Sequence, residues 1–253
     1  MKNIIISGAS SGIGRALALK YANHNTNLLL IGRDQKRLAE VKKLVKTFGS
    51  KVAILELDVR EEQALSQAVI AFDKKTPVDL IIASAGISAG TSGKSESLLQ
   101  LKTVMDINIY GSLHLFYPLL EKFKARGAGQ IVLLGSMASF KALPSSPAYS
   151  ASKVAIKFLG DSLRAELKKF NVKVNIVFPG YVKTAMTEVN EFPMPFLMEL
   201  DKATKIIMQG IAKNKPYIIF PRFFYYIIQL TNLLPTRISD YIFSRLPGKK
   251  PLS

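Results

Sequence analysis

Short apolar segments alternate with helical patterns along most of the chain. Each segment is nearly continuously apolar, as expected for a strand covered by helices on both faces of a sheet. The predicted strands are residues 3–7, 27–31, 52–57, 80–83, 130–134 and 173–178. Helices are predicted near residues 14–23, 35–48, 61–75, 98–124 and 148–170. This alternation predicts an α/β fold with a doubly wound parallel sheet.

The chain is predicted to form a single domain with a helical C-terminal extension. Its 253 residues are enough for one sizeable core. A last strand is predicted at residues 217–220, and no repeat or low-complexity linker interrupts the sequence before it. We therefore expect an α/β domain at 1–220 and an apolar, basic helical extension at 221–253.

Composition excludes several kinds of site. The chain has no cysteine, which excludes disulfides and thiolate metal sites, and its two histidines make a multi-histidine metal site improbable. We therefore expect no metal. The net charge of +17 would attract phosphates, nucleic acids or anionic lipids. The basic residues are dispersed and no nucleic-acid reading element is recognisable, so we expect no specific nucleic-acid partner.

A glycine-rich turn follows the first predicted strand and opens a helix. Glycine permits a tight turn and a close approach of the backbone to a ligand, and amides at a helix start bind pyrophosphate. The alternative is a turn used only for packing, which the position after the first strand disfavours. The turn predicts a dinucleotide site that contains Gly8, Ser10, Ser11, Gly12, Ile13 and Gly14.

The end of the second strand predicts which cofactor is bound. An acid there would bind a free ribose 2′-hydroxyl, whereas a nearby arginine accommodates a 2′-phosphate. Gly32 occupies the place of the acid and Arg33 follows it, so we expect NADP(H) to be preferred over NAD(H). Asp34 leaves two alternatives open, since it can cap the next helix or reach the ribose.

A tyrosine and a lysine four residues apart indicate proton-transfer chemistry. Tyr149 and Lys153 share one face of a helix, and a neighbouring ammonium is expected to lower the pKa of the phenol. The pair alone is a weak signal, because exposed Tyr/Lys pairs are common. Ser136 ends a strand, where ligands bind in such sheets, although a turn serine is the alternative. Asn108 is predicted to hold a helix kink or a water near Lys153, or to cap a distorted helix.

Taken together, these elements resemble the short-chain dehydrogenase/reductase superfamily over roughly residues 1–217. The matching positions are the glycine turn, Asp58, Ala85-Gly86, Asn108, Ser136, the Tyr149/Lys153 pair and Pro179-Gly180 followed by Thr184. The resemblance implies a Rossmann-type fold and an NADP(H)-dependent oxidoreductase that interconverts a carbonyl and an alcohol. The chain departs from the family at Ser84, where relatives often have asparagine, which puts the local hydrogen bonds there in doubt.

The resemblance also implies roles for individual residues. Tyr149 would be the general acid/base, Lys153 would lower its pKa and bind the nicotinamide ribose, and Ser136 would bind the substrate oxygen. Asn108 would support a proton relay. The remaining cofactor contacts would come from Asp58, Val59, Ala85, Gly86, Pro179, Gly180, Val182 and Thr184. A non-catalytic NADP(H)-binding sensor or scaffold is the alternative, and the complete catalytic set disfavours it.

Two kinds of partner are expected. An apolar segment indicates a hydrophobic substrate, and analogy with the family indicates further copies of the chain. The run from Met186 to Met198 is rich in methionine and aromatic residues, which suits a hydrophobic carbonyl or alcohol substrate or an ordinary packed helix. By analogy, helices 98–124 and 148–170 are expected to form the face of a homo-dimer or homo-tetramer.

The C-terminal extension leaves two alternatives open. From residue 213 onward the chain has seven basic residues and one acid beside apolar helices. This pattern suits an anionic membrane surface, or helices that cover the cleft or a subunit interface. The apolar N-terminal run stops at Ile6, too early for a secretory signal. We expect a cytoplasmic protein, with association at a membrane surface left open.

Overall fold

A seven-stranded parallel sheet lies at the centre of the structure, a computed structural model that describes residues 1–245 and 249–251. The spatial order of the strands is β3-β2-β1-β4-β5-β6-β7. Every neighbouring pair is parallel. The strands are β1 (Lys2–Ser7), β2 (Thr26–Gly32), β3 (Lys51–Glu56), β4 (Leu80–Ala83), β5 (Gln130–Leu134), β6 (Lys173–Pro179) and β7 (Tyr217–Phe220).

Helices cover both faces of the sheet. They are α1 (Gly12–Tyr21), α2 (Gln35–Thr47), α3 (Glu62–Lys75), α4 (Leu98–Met105), α5 (Gly111–Phe116), α6 (Leu120–Arg126), α7 (Pro147–Leu167), α8 (Ala185–Glu188), α9 (Leu200–Ala212), α10 (Arg222–Asn232) and α11 (Thr236–Phe243). Helices α1, α2 and α9 bury Leu17, Val41 and Ile207 in one core. Helices α3 and α5–α7 contribute to the core on the other face, among them Leu65 and Phe116. The fold is therefore the predicted single-domain, doubly wound Rossmann type.

The order of the strands places a crevice at one edge of the sheet. After β1 the chain builds outward through β2 and β3, and it then returns to place β4 on the other side of β1. Helices following β1 and β4 consequently leave the sheet on opposite faces. Ligands of such sheets bind outside the carboxyl ends of the strands at this reversal.

The helix predicted near residues 98–124 is present, but its backbone is not regular throughout. A π-helical turn at Asp106–Tyr110 and a 3₁₀ turn at Tyr117–Leu119 separate α4, α5 and α6. The Asn108 side chain bonds to the backbone of Ile87 at the π turn. Pro118 lies in the 3₁₀ turn, where it has no amide hydrogen to continue a helix. Smaller differences occur at α1, which spans Gly12–Tyr21 rather than 14–23, and at α7, which ends in a 3₁₀ turn at Lys168–Phe170.

The C-terminal region is helical, as predicted, through α10 and α11. Parts of the predicted extension, at residues 246–248 and 252–253, lie outside the described residues. Residues 249–251 lie beside the loop that follows β4, where the amides of Gly90 and Ser92 donate to their carbonyls. Among the helices that the structure describes, none combines the length and apolar character needed to span a bilayer.

One glycine sets how closely α1 approaches the sheet. A Cβ added at Gly14 would lie 2.3 Å from the carbonyl oxygen of Gly8, a backbone atom that cannot move aside cheaply. We expect Gly14→Ala to lower the free energy of unfolding by about 1–3 kcal/mol, as overpacking does. Urea denaturation measures the change. Ser162→Ala, at an exposed position of α7, is the control and should stay within about 0.5 kcal/mol. A Gly14→Ala protein as stable as the parent would contradict this account.

Candidate active site

A cavity of about 500 Å³ opens at the carboxyl ends of β1, β4, β5 and β6. Parallel strands present these ends at the same edge, so residues distant in sequence meet there. Thirteen of the predicted site residues line the cavity: Gly8, Ser11, Gly12, Ile13, Ala85, Gly86, Ser136, Tyr149, Lys153, Pro179, Gly180, Val182 and Thr184. The structure thus brings most of the predicted site together in one crevice.

The glycine turn has the shape needed to admit a phosphate. Gly8 and Gly12 have φ values of 65° and 52°, in the left-handed region that favours glycine. A Cβ at Gly12 would meet only the Thr184 side chain, at 3.6 Å, so the backbone of the turn stays accessible from the cavity. Helix α1 begins at Gly12. Its free amides suit a pyrophosphate, and the residues present therefore fit a dinucleotide.

Ser10 and Gly14 are predicted cofactor residues that lie outside this lining. Ser10 contacts the end of β2, where a Cβ on Gly32 would lie 3.1 Å from its Oγ. Gly14 packs against Gly8. An acidic side chain at position 32 would therefore crowd Ser10. Gly32 thus leaves room for Ser10 beside the end of β2.

Two arginines lie beside Asp58, one of the predicted cofactor contacts. Arg60 donates to both carboxylate oxygens of Asp58, at 3.1 and 2.8 Å, and Arg33 Nη1 lies 3.8 Å from Asp58. The hydrogen bonds from Arg60 hold the pKa of Asp58 below its usual value. Arg33 remains largely exposed. Val59 follows Asp58 and packs against Gly111.

Of the two alternatives for Asp34, a helix cap or a ribose contact, the structure shows the helix cap. Its side chain accepts a hydrogen bond from the Arg37 amide at 2.9 Å and begins α2. Its second oxygen lies 3.0 Å from Arg37 Nε. With both oxygens engaged in this way, the carboxylate belongs to the start of the helix. The nearest exposed charge after β2 is then Arg33.

At Ser84, where the chain departs from the family pattern, the backbone is bound to the side chain of Ser7. Ser7, at the end of β1, accepts hydrogen bonds from the amides of Ser84 and Ala85, each at 3.2 Å. A Cβ at Gly86 would lie 3.1 Å from Asn108 Oδ1 and 3.6 Å from Lys153 Nζ. The end of β4 is therefore fixed against β1 and close to the polar core of the site.

Tyr149 and Lys153 both face the cavity from α7. The Lys153 ammonium lies 5.6 Å from the centre of the Tyr149 ring and donates to the carbonyl oxygen of Leu134 at 2.8 Å. Ser136 follows β5, and its hydroxyl accepts from the Ala138 amide and is hydrogen-bonded with Tyr149. The three side chains therefore converge from one helix and one strand end.

The expectation that Lys153 lowers the pKa of Tyr149 is not met in this arrangement. Burial raises the pKa of Tyr149, while the hydrogen bond with Ser136 opposes the rise. Burial also lowers the pKa of Lys153 to about 8. The sequence analysis weighed the attraction between the two groups and could not include the loss of hydration, which disfavours both charged forms.

Asn108 lies outside the cavity lining, one layer behind it. Its Oδ1 accepts from the Ile87 amide, and its Nδ2 donates to the Ile87 carbonyl and to Ser152 Oγ at 2.9 Å. Ser152 Oγ in turn donates to the Tyr149 carbonyl at 2.7 Å. Asn108 thus holds the π turn, the loop after β4 and α7 in one buried network. Its side chain links the elements that carry Gly86 and Lys153.

The segment after β6 contributes another side of the cavity. Thr184 begins α8 in a reciprocal cap with Thr187. Residues beyond it form irregular backbone before α9, so the predicted packed helix over this run is limited to Ala185–Glu188. Apolar side chains from this segment and from α10 and α11 line the cavity: Met186, Phe192, Pro193, Pro195, Phe224, Ile227, Ile228, Ile242 and Phe243.

Several lining residues are missed by the sequence analysis, among them Tyr181, Lys141 and Lys249. Tyr181 lies between two predicted residues, and its position next to Gly180 was the available signal. Lys141 and Lys249 enter the lining from a loop and from the C-terminal tail. Nothing local in the sequence distinguishes these lysines from the many others, because only the path of the chain brings them to the cavity.

Comparison with known proteins identifies the family of the chain. A family model described as short chain dehydrogenase matches residues 2–192. An uncharacterized oxidoreductase of Myxococcus xanthus is 31% identical over 246 residues, which are 97% of each chain.

Two solved structures are similar in fold. A short-chain dehydrogenase from Sphingobium yanoikuyae in complex with NADPH has a TM-score of 0.82 and 23% identity, covering 97% of this chain and 96% of that one. A short chain dehydrogenase from Mycobacterium paratuberculosis bound to NAD has a TM-score of 0.76 and 23% identity, covering 86% and 94%. The fold is thus shared by proteins with either cofactor. From its glycine turn, its sheet and the family match, the chain belongs to the short-chain dehydrogenase family of oxidoreductases.

Proposed function

We propose that this oxidoreductase uses NADP(H) to interconvert a carbonyl and an alcohol group on a hydrophobic substrate. The observation that carries the proposal is the convergence of Ser136, Tyr149 and Lys153 in one largely apolar cavity beside the glycine turn. In this proposal residues 1–220 bind the cofactor and carry the chemistry. Residues 221–253 complete the substrate side.

Ser136, Tyr149 and Lys153 have different roles in the proposed proton transfer. The chemistry that a nicotinamide would supply, when bound beside these residues, is transfer of the hydride. In the reducing direction Tyr149 donates its hydroxyl proton to the substrate oxygen, and Ser136 hydrogen-bonds the same oxygen. A raised pKa keeps Tyr149 protonated at neutral pH, which suits its use as an acid. Lys153, with a pKa of about 8, is mostly a cation at neutral pH and holds its ammonium 5.6 Å from the centre of the Tyr149 ring.

Asn108 has a positioning role in the proposal. Its bonds to Ile87 and Ser152 fix the loop after β4 relative to α7. The Ser152 hydroxyl contacts the Tyr149 carbonyl, so the network holds the turn of helix that carries the acid. Proton transfer is sensitive to such placement, because the acid must lie within hydrogen-bond distance of the substrate oxygen.

The preference for NADP(H) rests on the end of β2. Gly32 leaves no acid there, Asp34 is engaged at the start of α2, and Arg33 is exposed 3.8 Å from Asp58. Arg60 adds a second guanidinium to the same cluster. Two arginines near one carboxylate suit a doubly charged 2′-phosphate better than a neutral hydroxyl.

We propose that the chain forms a homo-dimer, or a homo-tetramer built from dimers, through α4 and α7. Large apolar side chains are exposed on these helices, among them Leu98, Leu99 and Phe158. Leu99 is 77% exposed and Phe158 is 66% exposed, which is unusual for neighbouring helices of one domain. Burying them between two copies would remove that cost.

A second apolar face supports contact with an anionic membrane surface. Phe223, Tyr226, Leu230 and Leu233 recur along the outer side of α10 and are 62–80% exposed. Arg222, Arg237 and Arg245 are exposed at the ends of α10 and α11. Apolar helix faces flanked by cations suit the interface of an anionic bilayer, and the cytoplasmic leaflet carries such a charge. We therefore propose a cytoplasmic enzyme that associates with that surface.

Tyr149→Phe tests the proposed acid. It removes one hydroxyl and should lower hydride transfer at least 10²-fold, the usual contribution of a positioned acid, while NADPH binding is retained. Oxidation of NADPH with a panel of apolar ketones measures activity, and fluorescence titration measures binding. Tyr117→Phe, at an exposed tyrosine, is the control and should behave as the parent. Undiminished turnover in Tyr149→Phe would refute the assignment.

The choice of cofactor can be tested at Arg33. The parent should bind NADPH more tightly than NADH, and Arg33→Ala should weaken NADPH binding by roughly tenfold through loss of one charge-assisted contact. The affinity for NADH should hardly change, since it lacks the 2′-phosphate. Arg37→Ala, which removes a guanidinium paired with Asp34, is the matched control. Equal losses for both cofactors would count against a phosphate contact.

Vesicle sedimentation tests the membrane face. The double variant Tyr226→Glu/Leu230→Glu places two carboxylates on the apolar side of α10, so partition onto phosphatidylserine-containing vesicles should fall more than tenfold. Leu44→Glu introduces the same chemistry at an exposed leucine of α2 and should leave partition unchanged. Unaltered partition of the α10 variant would remove the membrane proposal. A change of mass in solution in that variant would identify α10 as a contact between copies instead.

A further inference from the structure

The C-terminal tail, residues 249–251, lies against two loops that border the cavity. The carbonyl oxygens of Lys250 and Lys249 accept hydrogen bonds from the amides of Gly90 and Ser92, at 2.7 and 2.9 Å. The Lys250 ammonium pairs with Glu191, in the segment after α8. The tail therefore joins the loop after β4 to the segment after β6, on opposite sides of the cavity.

Gly90 makes this docking sterically possible. A Cβ at position 90 would lie 2.0 Å from the Lys249 carbonyl oxygen and 2.3 Å from its carbon, both backbone atoms. Gly90 does not have a positive φ, so its backbone does not itself require glycine. The close approach of the tail is what excludes a side chain here. A substitution at Gly90 can thus displace the tail without altering the tail itself.

The Lys249 side chain enters the lining of the cavity. Its Nζ donates to the Met186 carbonyl oxygen at 3.2 Å, and the residue is half-buried. Burial lowers the pKa of Lys249. Among the described residues, the Met186 carbonyl is the hydrogen-bond partner of this ammonium, which can donate up to three hydrogen bonds and therefore retains capacity to bind an anion.

The charges around the cavity have one sign. Among the described residues, its lining includes Lys141, Lys153 and Lys249 and no aspartate or glutamate. Lys153 is held by Leu134, and Lys141 donates to Ser239 while lying over the Phe243 ring. Lys249 is therefore the lining cation that a ligand entering between the two loops would meet with the fewest competing partners.

We infer that Lys249 binds an anionic group, a carboxylate or phosphate, on an otherwise apolar carbonyl substrate. This deepens the proposed function and rests on it for the identity of the ligand as a substrate. The apolar walls accept the body of the molecule, and the tail supplies the charge at one end of the cavity. Phosphates of the cofactor are the other source of the same chemistry, and the experiment separates the two.

Calorimetric titration with decanoate and decanol measures this recognition without requiring turnover. The two probes share a chain length and differ in charge, so their affinity ratio reports the anion contact. The parent should prefer decanoate by roughly tenfold, the order expected for one charge-assisted contact. Lys249→Gln and Gly90→Ala should each abolish the preference, since one removes the ammonium and the other displaces it. Titrations are made on the full chain with and without NADPH.

Lys94→Gln, at an exposed lysine on the same loop as Gly90, is the matched control and should keep the preference. The inference is overturned by a parent without preference, or by a preference that survives in Lys249→Gln or in Gly90→Ala. Weaker NADPH binding in Lys249→Gln with the decanoate preference intact would assign the lysine to the cofactor and also overturn it. Failure of hydride transfer with an intact, Lys249-dependent preference would instead refute only the proposed function.

Discussion

Parallel pairing of β1 with both β2 and β4 is the constraint on which the site depends. The register aligns Ser7 with Ile31 on one side and with Ala83 on the other, so three strands end together. Hydrogen bonds from the amides of Ser84 and Ala85 to Ser7 then tie the loop after β4 to the start of the glycine turn. The pairing of the strands therefore determines where the crevice lies, whatever side chains line it.

Within that crevice, burial dominates the electrostatics of the proposed catalytic groups. Removing Tyr149 and Lys153 from water disfavours phenolate and ammonium alike, so the pKa of the first rises and that of the second falls. Hydrogen bonds offset part of the lost hydration. Lys153 donates to the Leu134 carbonyl, and Tyr149 is hydrogen-bonded with Ser136. Asn108 adds no charge, but it fixes the helix that carries both residues.

Helix α10 separates two environments and gives the C-terminal region its character. Its inner side, with Phe224 and Ile228, lines the cavity, while its outer side exposes Phe223 and Leu230. A helix that is apolar on both sides is stable only if each side finds a cover. In the proposals above, the inner side of α10 contacts the apolar substrate and its outer side contacts the membrane surface. An apolar substrate could then reach the cavity from that membrane.

The sequence by itself determined the order of strands and helices, the glycine turn, and the set of residues at strand ends. These follow from local properties: apolar runs, the conformational freedom of Gly8 and Gly12, and the helical spacing of Tyr149 and Lys153. Only the tertiary structure decided what depends on contacts between distant segments. It placed a π turn at Asn108 and the Asp34 carboxylate at the start of α2, which decided between alternatives that the sequence left open. It also raised the pKa of Tyr149 by burial and brought Lys249 to the cavity. Burial and long-range packing act through space, and no local pattern of residues records them.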